Sequence, residues 1–379
     1  MSSCTLKSMA APDKKQSTNN KRLIAIMESN GEHWRELGAA LTSYYDIIIQ
    51  QNASVESFET LHIRQPALII AGPEIKPKNS IDAVQKIRKQ EPHIPILFIA
   101  ENAEDEKIKD AEAAGVAGIL AKPYMRSDLI AKITEILNTN VEKEWEILPA
   151  PQRSALQNSS SIFSAISDVL ITGATIDFED IKDNCSSLVD VVESGDFKDI
   201  LDGVKMHDDY TYAHSMRVAT LLTMLGHAAG FSKNDQLIMS SGGLLHDVGK
   251  MKIPHEILNK PGRLTEEEFE QMKSHVPETV DYLKSSGGIP KGVMIIAEQH
   301  HEKIDGTGYP YGLKGAELNE LARMSAVVDV FSALTDRRVY KEPMESNKAM
   351  TIMKEEMIGH LDQHFVKLFE AVLRDTGVL

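Results

Sequence analysis

The sequence predicts two unlike domains in one chain, an α/β domain built on a five-stranded parallel sheet followed by an all-α bundle. Three observations carry that prediction. Short apolar runs recur at Leu23–Met27, Tyr45–Ile49, Ala67–Ala71, Ile94–Ala100 and Gly118–Ala121. Stretches of helical period separate them, among them Glu32–Thr42, Ile81–Lys89, Glu106–Ala114 and Asp128–Leu137. From Ser154 onward the apolar spacing is helical almost throughout, punctuated by Gly and Pro and without strand-like alternation.

The elements follow in order. Residues 1–20 are rich in Ser, Lys and Asn with no apolar period, and read as a disordered tail. Residues 21–139 hold the five strands; strands alternating with helices imply a parallel sheet covered on both faces. Residues 140–153 carry charges, Trp145 and Pro149-Ala-Pro151, a composition that suits a linker. Residues 154–379 then make the helical domain. Within it Thr265 and Glu268 form a capping-box pattern, which starts a helix running toward His275. Met294–His301 and Leu321–Leu334 are also helical, so His300, His301 and Asp329 are expected on neighbouring helices facing one centre.

Composition bounds the chemistry. A chain of 379 residues with 42% hydrophobic content is long enough for two or three well-buried cores. Its two cysteines, Cys4 and Cys185, are far apart and suggest neither a disulfide framework nor a thiolate metal site. No apolar run approaches the roughly 20 residues that span a bilayer. The polar N-terminus lacks the apolar core of a signal peptide, so the cytoplasm is the expected location. A net charge of -15 argues against broad affinity for duplex nucleic acid, which rests on Lys and Arg neutralising phosphates.

Histidine is concentrated where the helices are. Eight of the thirteen lie between His207 and His301, and one of them opens the pair His246-Asp247. Neutral imidazole is the commonest protein metal ligand, and a carboxylate such as Asp247 can offer one oxygen to each of two cations. His214, His246, Asp247, His275, His300, His301 and Asp329 together make a ligand set for two ions. Two metals about 3.5–4 Å apart are a common solution for phosphoester cleavage, because they activate water and neutralise phosphoryl charge. For His207, His227, His255, His360 and His364 an ordinary packed or surface position is expected.

The segments Tyr210-Thr-Tyr-Ala-His214-Ser-Met-Arg217-Val218, Leu244-Leu-His246-Asp247-Val-Gly249-Lys250, Lys260-Pro-Gly262, Met272-Lys-Ser-His275, His300 to Pro310 and Asp329-Val-Phe-Ser-Ala-Leu-Thr335 occur in that order over roughly residues 153–379. This series resembles the HD-GYP phosphodiesterases of the HD superfamily, which hydrolyse the bacterial second messenger cyclic di-GMP. The resemblance implies a metal-dependent hydrolase that opens cyclic di-GMP to the linear dinucleotide pGpG, with a second cleavage giving GMP. It implies two divalent metals, iron with manganese as the other candidate, held by the seven residues above. Asp247 and Lys250 would be catalytic, Lys250 pointing to the attacking oxygen or the phosphate. Lys250, Asp305, Gly306, Tyr309, Arg338 and Lys341 would contact substrate, the arginine through bidentate bonds to a phosphodiester and the lysine as a compact charge. Some relatives carry a glutamate four residues before the first ligand histidine to support a third metal; Tyr210 stands there, which points to two. Ser332 and Val339 replace a frequent aspartate and proline, which implies a differently posed phosphate loop. Two other readings remain open: a non-catalytic nucleotide sensor that signals through a protein partner, and a hydrolase of another cyclic dinucleotide.

Residues 21–139, with Lys122-Pro123 after the fifth run, resemble response-regulator receiver domains, a flavodoxin-like fold. Receivers accept a phosphoryl group on an aspartate that ends the third strand. Aligning Pro66–Gly72 on that strand puts Gly72 at the acceptor position and Ala100 where a hydroxyl is needed, leaving only Glu28 and Lys122. Glycine offers no nucleophile. The expectation is a pseudo-receiver kept as a homodimerisation or protein-docking surface.

Overall fold

The computed structural model describes residues 21–379 apart from 78, 173–174, 176, 206, 259, 261 and 337–342. The expected tail therefore lies outside the described residues. The first domain is a five-stranded parallel sheet of β1 (Leu23–Met27), β2 (Asp46–Gln50), β3 (Leu68–Ala71), β4 (Ile96–Ala100) and β5 (Gly118–Ala121), in the order β2-β1-β3-β4-β5. The register pairs Ile24 with both Ile47 and Leu68, Ile69 with Ile96, and Leu97 with Gly118. Because strand side chains alternate between faces, Ala25, Met27, Ile69, Ala71, Ile96 and Phe98 enter one core. Ile24, Ile26, Leu68, Ile70, Leu97 and Ile99 enter the other.

Helices α1 (Gly31–Leu41), α2 (Val55–Arg64), α3 (Ser80–Gln90), α4 (Lys107–Ala113) and α5 (Arg126–Glu144) cover both faces. Helix α2 was not among the stretches singled out by periodicity. Only Phe58 and Leu61 of its apolar side chains are buried, while Val55 and Ile63 stand exposed, so its apolar stripe is blurred. Its start is nevertheless set by Ser54, whose side chain accepts the Ser57 amide as N-cap.

The second domain is helical, as the spacing predicts: α6 (Ala150–Thr172), α7 (Phe178–Ser194), α8 (Lys198–Lys205), α9 (Tyr210–Ala228), α10 (Lys233–Leu245), α11 (His255–Leu258), α12 (Glu266–Lys273), α13 (His275–Ser286), α14 (Lys291–Gln299), α15 (Glu320–Thr335), α16 (Ser346–Glu355) and α17 (Gln363–Asp375). Helix α9 is buried nearly all round, with Met216, Leu221, Leu222 and Leu225 in the core. It packs against α7, α10, α15 and α17 and forms the axis of the bundle. The capping box at Thr265 and Glu268 starts α12 as expected, each side chain accepting the other residue's amide.

The segment read as a linker is largely helical. Helix α5 runs through residue 144, and Val141 and Trp145 belong to the core of the second domain. The Trp145 indole N–H donates to the Gly203 carbonyl at 3.0 Å, so its one polar group is satisfied on burial. Among the described residues, no helix is long and apolar enough to cross a membrane.

Candidate metal centre

Five separate stretches of backbone deliver the seven expected ligands to one point. His214 comes from the second turn of α9; His246 and Asp247 follow α10; His275 opens α13; His300 and His301 follow α14; Asp329 lies on α15. The turn after Asp247 must approach α13 closely. A side chain at Gly249 would place its Cβ 2.2 Å from the His275 carbonyl oxygen and 2.7 Å from the Thr279 amide nitrogen. Gly249 instead donates its amide to Thr279 Oγ1 at 2.9 Å, which explains why glycine follows the His-Asp pair by two residues.

Asp247 sits at the centre, 1% exposed. Its Oδ1 lies 3.2 Å from His275 Nε2 and 3.7 Å from His300 Nε2. Its Oδ2 lies 3.2 Å from His246 Nε2 and 3.6 Å from His214 Nε2. Asp329 completes the picture, with Oδ1 at 3.0 Å from His214 Nε2 and Oδ2 at 3.6 Å from His301 Nδ1. The ligand atoms thus fall into two groups, one of Asp247, His275, His300 and His301 and one of His214, His246 and Asp329, each with all its atoms within 4.8 Å of one another. Donor atoms that share one ion at about 2.1 Å stand about 3 Å apart, so either group could hold a metal.

The hydrogen bonding of the imidazoles supports that fit. His246 Nδ1 donates to the Gly243 carbonyl at 2.8 Å, His275 Nδ1 to Met272 at 2.6 Å, and His300 Nδ1 to Ala297 at 3.1 Å. Each of these rings then turns an Nε2 inward, and those three buried atoms, with Asp247 Oδ1, have no hydrogen-bond partner. Buried polar atoms without partners are costly. Several converging on one point with lone pairs available make a cation site, with the carbonyls orienting the rings.

The electrostatics agree. Burial holds the His300 imidazole well below its usual range, with like charge from His301 and His246 adding to the effect. Burial likewise lowers His301 to about 3. Both are therefore neutral ligands. Burial alone would raise Asp247, but His246, Lys250 and His275 outweigh it and hold the carboxylate well below its usual range. Burial also lowers His214, yet hydrogen bonds to Asp329 and Asp336 overcome it and raise the group to about 9. A metal at Nε2 would take that proton's place.

Asp336 is a residue the sequence reading missed. Its Oδ2 accepts from His214 Nδ1 at 2.8 Å, and its Oδ1 pairs with Arg217 at 3.1 Å. Arg217 also donates to Thr335 Oγ1 at 2.8 Å. The sequence offered little signal, because α15 ends at Thr335 and Asp336 is the extended residue that caps it. Glu302 was also passed over. It is 3% exposed, and its carboxylate accepts the amides of Tyr311, Gly312 and Leu313 at 2.7, 3.1 and 3.0 Å, so it ties down the loop after His301.

The residues expected at substrate divide three ways. Lys250 and Tyr309 line a cavity of about 790 Å³ that opens on the ligand cluster. Lys250 Nζ is hydrogen-bonded to Asp247 Oδ2, and the Tyr309 ring lies 4.7 Å from that of His301. Burial, with Asp247 and Asp329 nearby, keeps the Tyr309 hydroxyl protonated. Asp305 and Gly306 are not among the cavity-lining groups. The Asp305 carboxylate instead accepts the amide and hydroxyl of Thr307 at 2.9 and 2.7 Å, and Gly306 turns the chain at φ 83°. Local turn chemistry engages both. Arg338 and Lys341 lie outside the described residues. Tyr210 stacks on the His214 ring at 5.7 Å.

In the first domain, the acceptor position is filled. A Cβ on Gly72 would lie 1.9 Å from Glu28 Oε2. Glu28 is fully buried and accepts from the Asn30 amide at 2.8 Å, and its Oε2 lies 2.8 Å from His33 Nδ1. Lys122 lies 3.6 Å from Glu101.

The chain is similar to known proteins in both halves. Residues 200–365 match the HD domain family and residues 24–134 the response regulator receiver domain family. A cyclic di-GMP phosphodiesterase of Pseudomonas aeruginosa is 40% identical over 177 residues, 46% of this chain and 41% of that protein. A 3′3′-cGAMP-specific phosphodiesterase of Vibrio cholerae is 37% identical over 174 residues, 46% of this chain and 39% of that one. A cyclic di-GMP phosphodiesterase of Thermotoga maritima is 29% identical over 331 residues, 86% of this chain and 83% of that protein. The chain spans less than half the length of the first two relatives. With the receiver sheet, the His-Asp cluster and both domain matches in place, the chain is an HD domain preceded by a response regulator receiver domain.

Proposed function

We propose that the protein is a metal-dependent phosphodiesterase that hydrolyses cyclic di-GMP to pGpG, with a second cleavage giving GMP. One observation carries the reading: Asp247 turns one oxygen to His275 and His300 and the other to His214 and His246. Asp247 would bridge two divalent ions, iron being the favoured metal and manganese the alternative. His275, His300 and His301 would complete one ion's shell and His214, His246 and Asp329 the other's. Such a pair supplies an activated water near neutral pH and neutralises charge on the phosphoryl group.

The chain's own groups do the rest. Lys250 holds an ammonium at the cavity wall beside Asp247, where it can orient the scissile phosphate and donate a proton to the departing oxygen. Tyr309 lies beside His301 at the groove wall, on the loop that Glu302 fixes, where it can shape access to the site. Asp305 and Gly306 shape the turn that carries Tyr309. Arg338 and Lys341 are proposed to hold phosphate oxygens.

The names of the relatives support a cyclic dinucleotide and leave two bases open. We favour cyclic di-GMP because it is named in two of the three relatives above, including the one aligned over 86% of this chain. Elemental analysis of anaerobically purified protein, paired with chromatography of products from cyclic di-GMP and 3′3′-cGAMP, tests the proposal. Metal-loaded protein that turns over neither ring sinks the hydrolytic reading. Faster cleavage of 3′3′-cGAMP would reassign the substrate.

A further inference from the structure

The cavity that opens on the ligand cluster does not end within the helical domain. At one end it is lined by Lys250, His275 and His301, and at the other by Lys21, Tyr44 and Tyr45 of the receiver domain. The receiver edge is fastened there by contacts on a single residue. Arg22 Nε pairs with Asp208 Oδ1 at 3.2 Å, the two side chains being 8% and 12% exposed, and the Asp208 amide donates to Asn138 Oδ1 at 2.6 Å. Asp208 immediately precedes Asp209, the N-cap of α9, and α9 carries His214. The wall contributed by the receiver is thus anchored to the start of a ligand-bearing helix.

The far wall also has the right chemistry for half a cyclic dinucleotide. Such a ring carries two phosphodiesters on opposite sides, each with its own base. With one phosphate at the ligand cluster, the second phosphate and a base must extend along the cavity. The Lys21 ammonium is held at that end by the Thr42 carbonyl at 2.7 Å. The Tyr44 ring is partly exposed, with the Arg126 guanidinium 5.5 Å from its centroid, so it is held as a flat surface on which a purine can stack.

Resting on the reading of the metal centre as a cyclic-dinucleotide site, we propose that the pseudo-receiver edge is the distal subsite of the groove. Tyr44 stacks on the base remote from the ligand cluster, and Lys21 faces the second phosphate. The receiver then acts in cis as part of the binding site, a role that needs no phosphorylation.

The test uses the full-length, metal-loaded protein and hydrolysis-resistant phosphorothioate analogues of cyclic di-GMP and 3′3′-cGAMP, titrated calorimetrically. Tyr44→Ala and Lys21→Ala should each weaken binding about tenfold, the scale of a lost base stack or phosphate contact. Metal content should be unchanged. Ile63→Ala, on an exposed receiver position that does not line the cavity, should bind as the wild type does. Wild-type affinity in both groove variants overturns the subsite, as does a loss of affinity that tracks loss of metal. A wild-type protein that binds neither analogue overturns the subsite and the substrate class together. If the analogues bind and the variants weaken them while the natural rings are not cleaved, the subsite stands and only the hydrolytic reading falls.

Discussion

Asp336 offers the sharpest test of how the cluster is held. Its carboxylate orients His214 through Nδ1 at 2.8 Å while pairing with Arg217 at 3.1 Å. Groups that orient a ligand imidazole contribute about 10–100-fold in metal affinity, or about 1.4–2.7 kcal/mol. Asparagine keeps a carbonyl oxygen for the imidazole N–H and loses the charge, so Asp336→Asn should cost about tenfold, the low end of that range. Alanine removes both and leaves Arg217 with its bond to Thr335 and the Phe331 ring but no carboxylate partner, so Asp336→Ala should cost about 100-fold. The loss should be confined to the ion of the His214, His246 and Asp329 group. Among the described residues, no hydrogen bond or ion pair joins Asp336 to His275, His300 or His301. Dialysis against graded chelator, followed by elemental analysis, reads this directly: the alanine variant should give up one metal per chain at chelator levels that leave the wild type with two. Far-ultraviolet circular dichroism should be unchanged. An alanine variant that holds both ions as the wild type does would refute the orienting role.

Other outcomes follow from the same geometry. Asp247→Ala removes the carboxylate at the centre of both donor sets, so metal content and turnover should collapse together while helicity survives; retention of both metals and of turnover would end the bridging assignment. Two metals per chain are expected, because Tyr210 stacks on His214 where a carboxylate would be needed for a third, and a fully occupied third protein-ligated site in a crystal would contradict this. Acetyl phosphate should leave the intact mass of the full chain and its turnover unchanged. Gly72→Asp should not restore phosphorylation, because its Cβ would collide with Glu28 Oε2, and the overpacking should cost about 1–3 kcal/mol in a denaturant melt; an acyl phosphate at residue 72 would refute this. Arg338→Ala should weaken cyclic-dinucleotide affinity by about 1.5–3 kcal/mol with metal content intact, and unchanged binding would return Arg338 to the solvated surface.

Much of this was legible in the sequence because the relevant signals are local. The strands β1 and β3 are continuous apolar runs, and a doubly covered parallel sheet produces nothing else. The ligands announced themselves by type, since buried histidine beside aspartate has few structural uses. What escaped notice depended on position in space. Asp305 was expected at substrate from the motif it belongs to, and only coordinates show its carboxylate accepting from Thr307 two residues on. Asp336 stands just past the end of α15, and only the packing of α9 against α15 brings it to His214. Helix α2 was hidden because the sheet covers so narrow a stripe of it. The filled acceptor pocket was half legible: Gly72 revealed the missing nucleophile, whereas Glu28 reaching across to occupy its space needed coordinates.

Helix α5 changes what it means to call the two halves modules. Its first turns belong to the receiver, with Leu129, Ile130 and Ile133 in the sheet's core, and its last turn with Trp145 belongs to the bundle. A helical fragment begun at residue 154 would lack Val141 and Trp145, and losing a buried Trp side chain costs about 3–5 kcal/mol. Gene fusions that exchange the sensory half would therefore have to splice in mid-helix and keep its phase, since each residue added or deleted turns everything upstream by about 100°. Recombination is constrained to steps that preserve that angle.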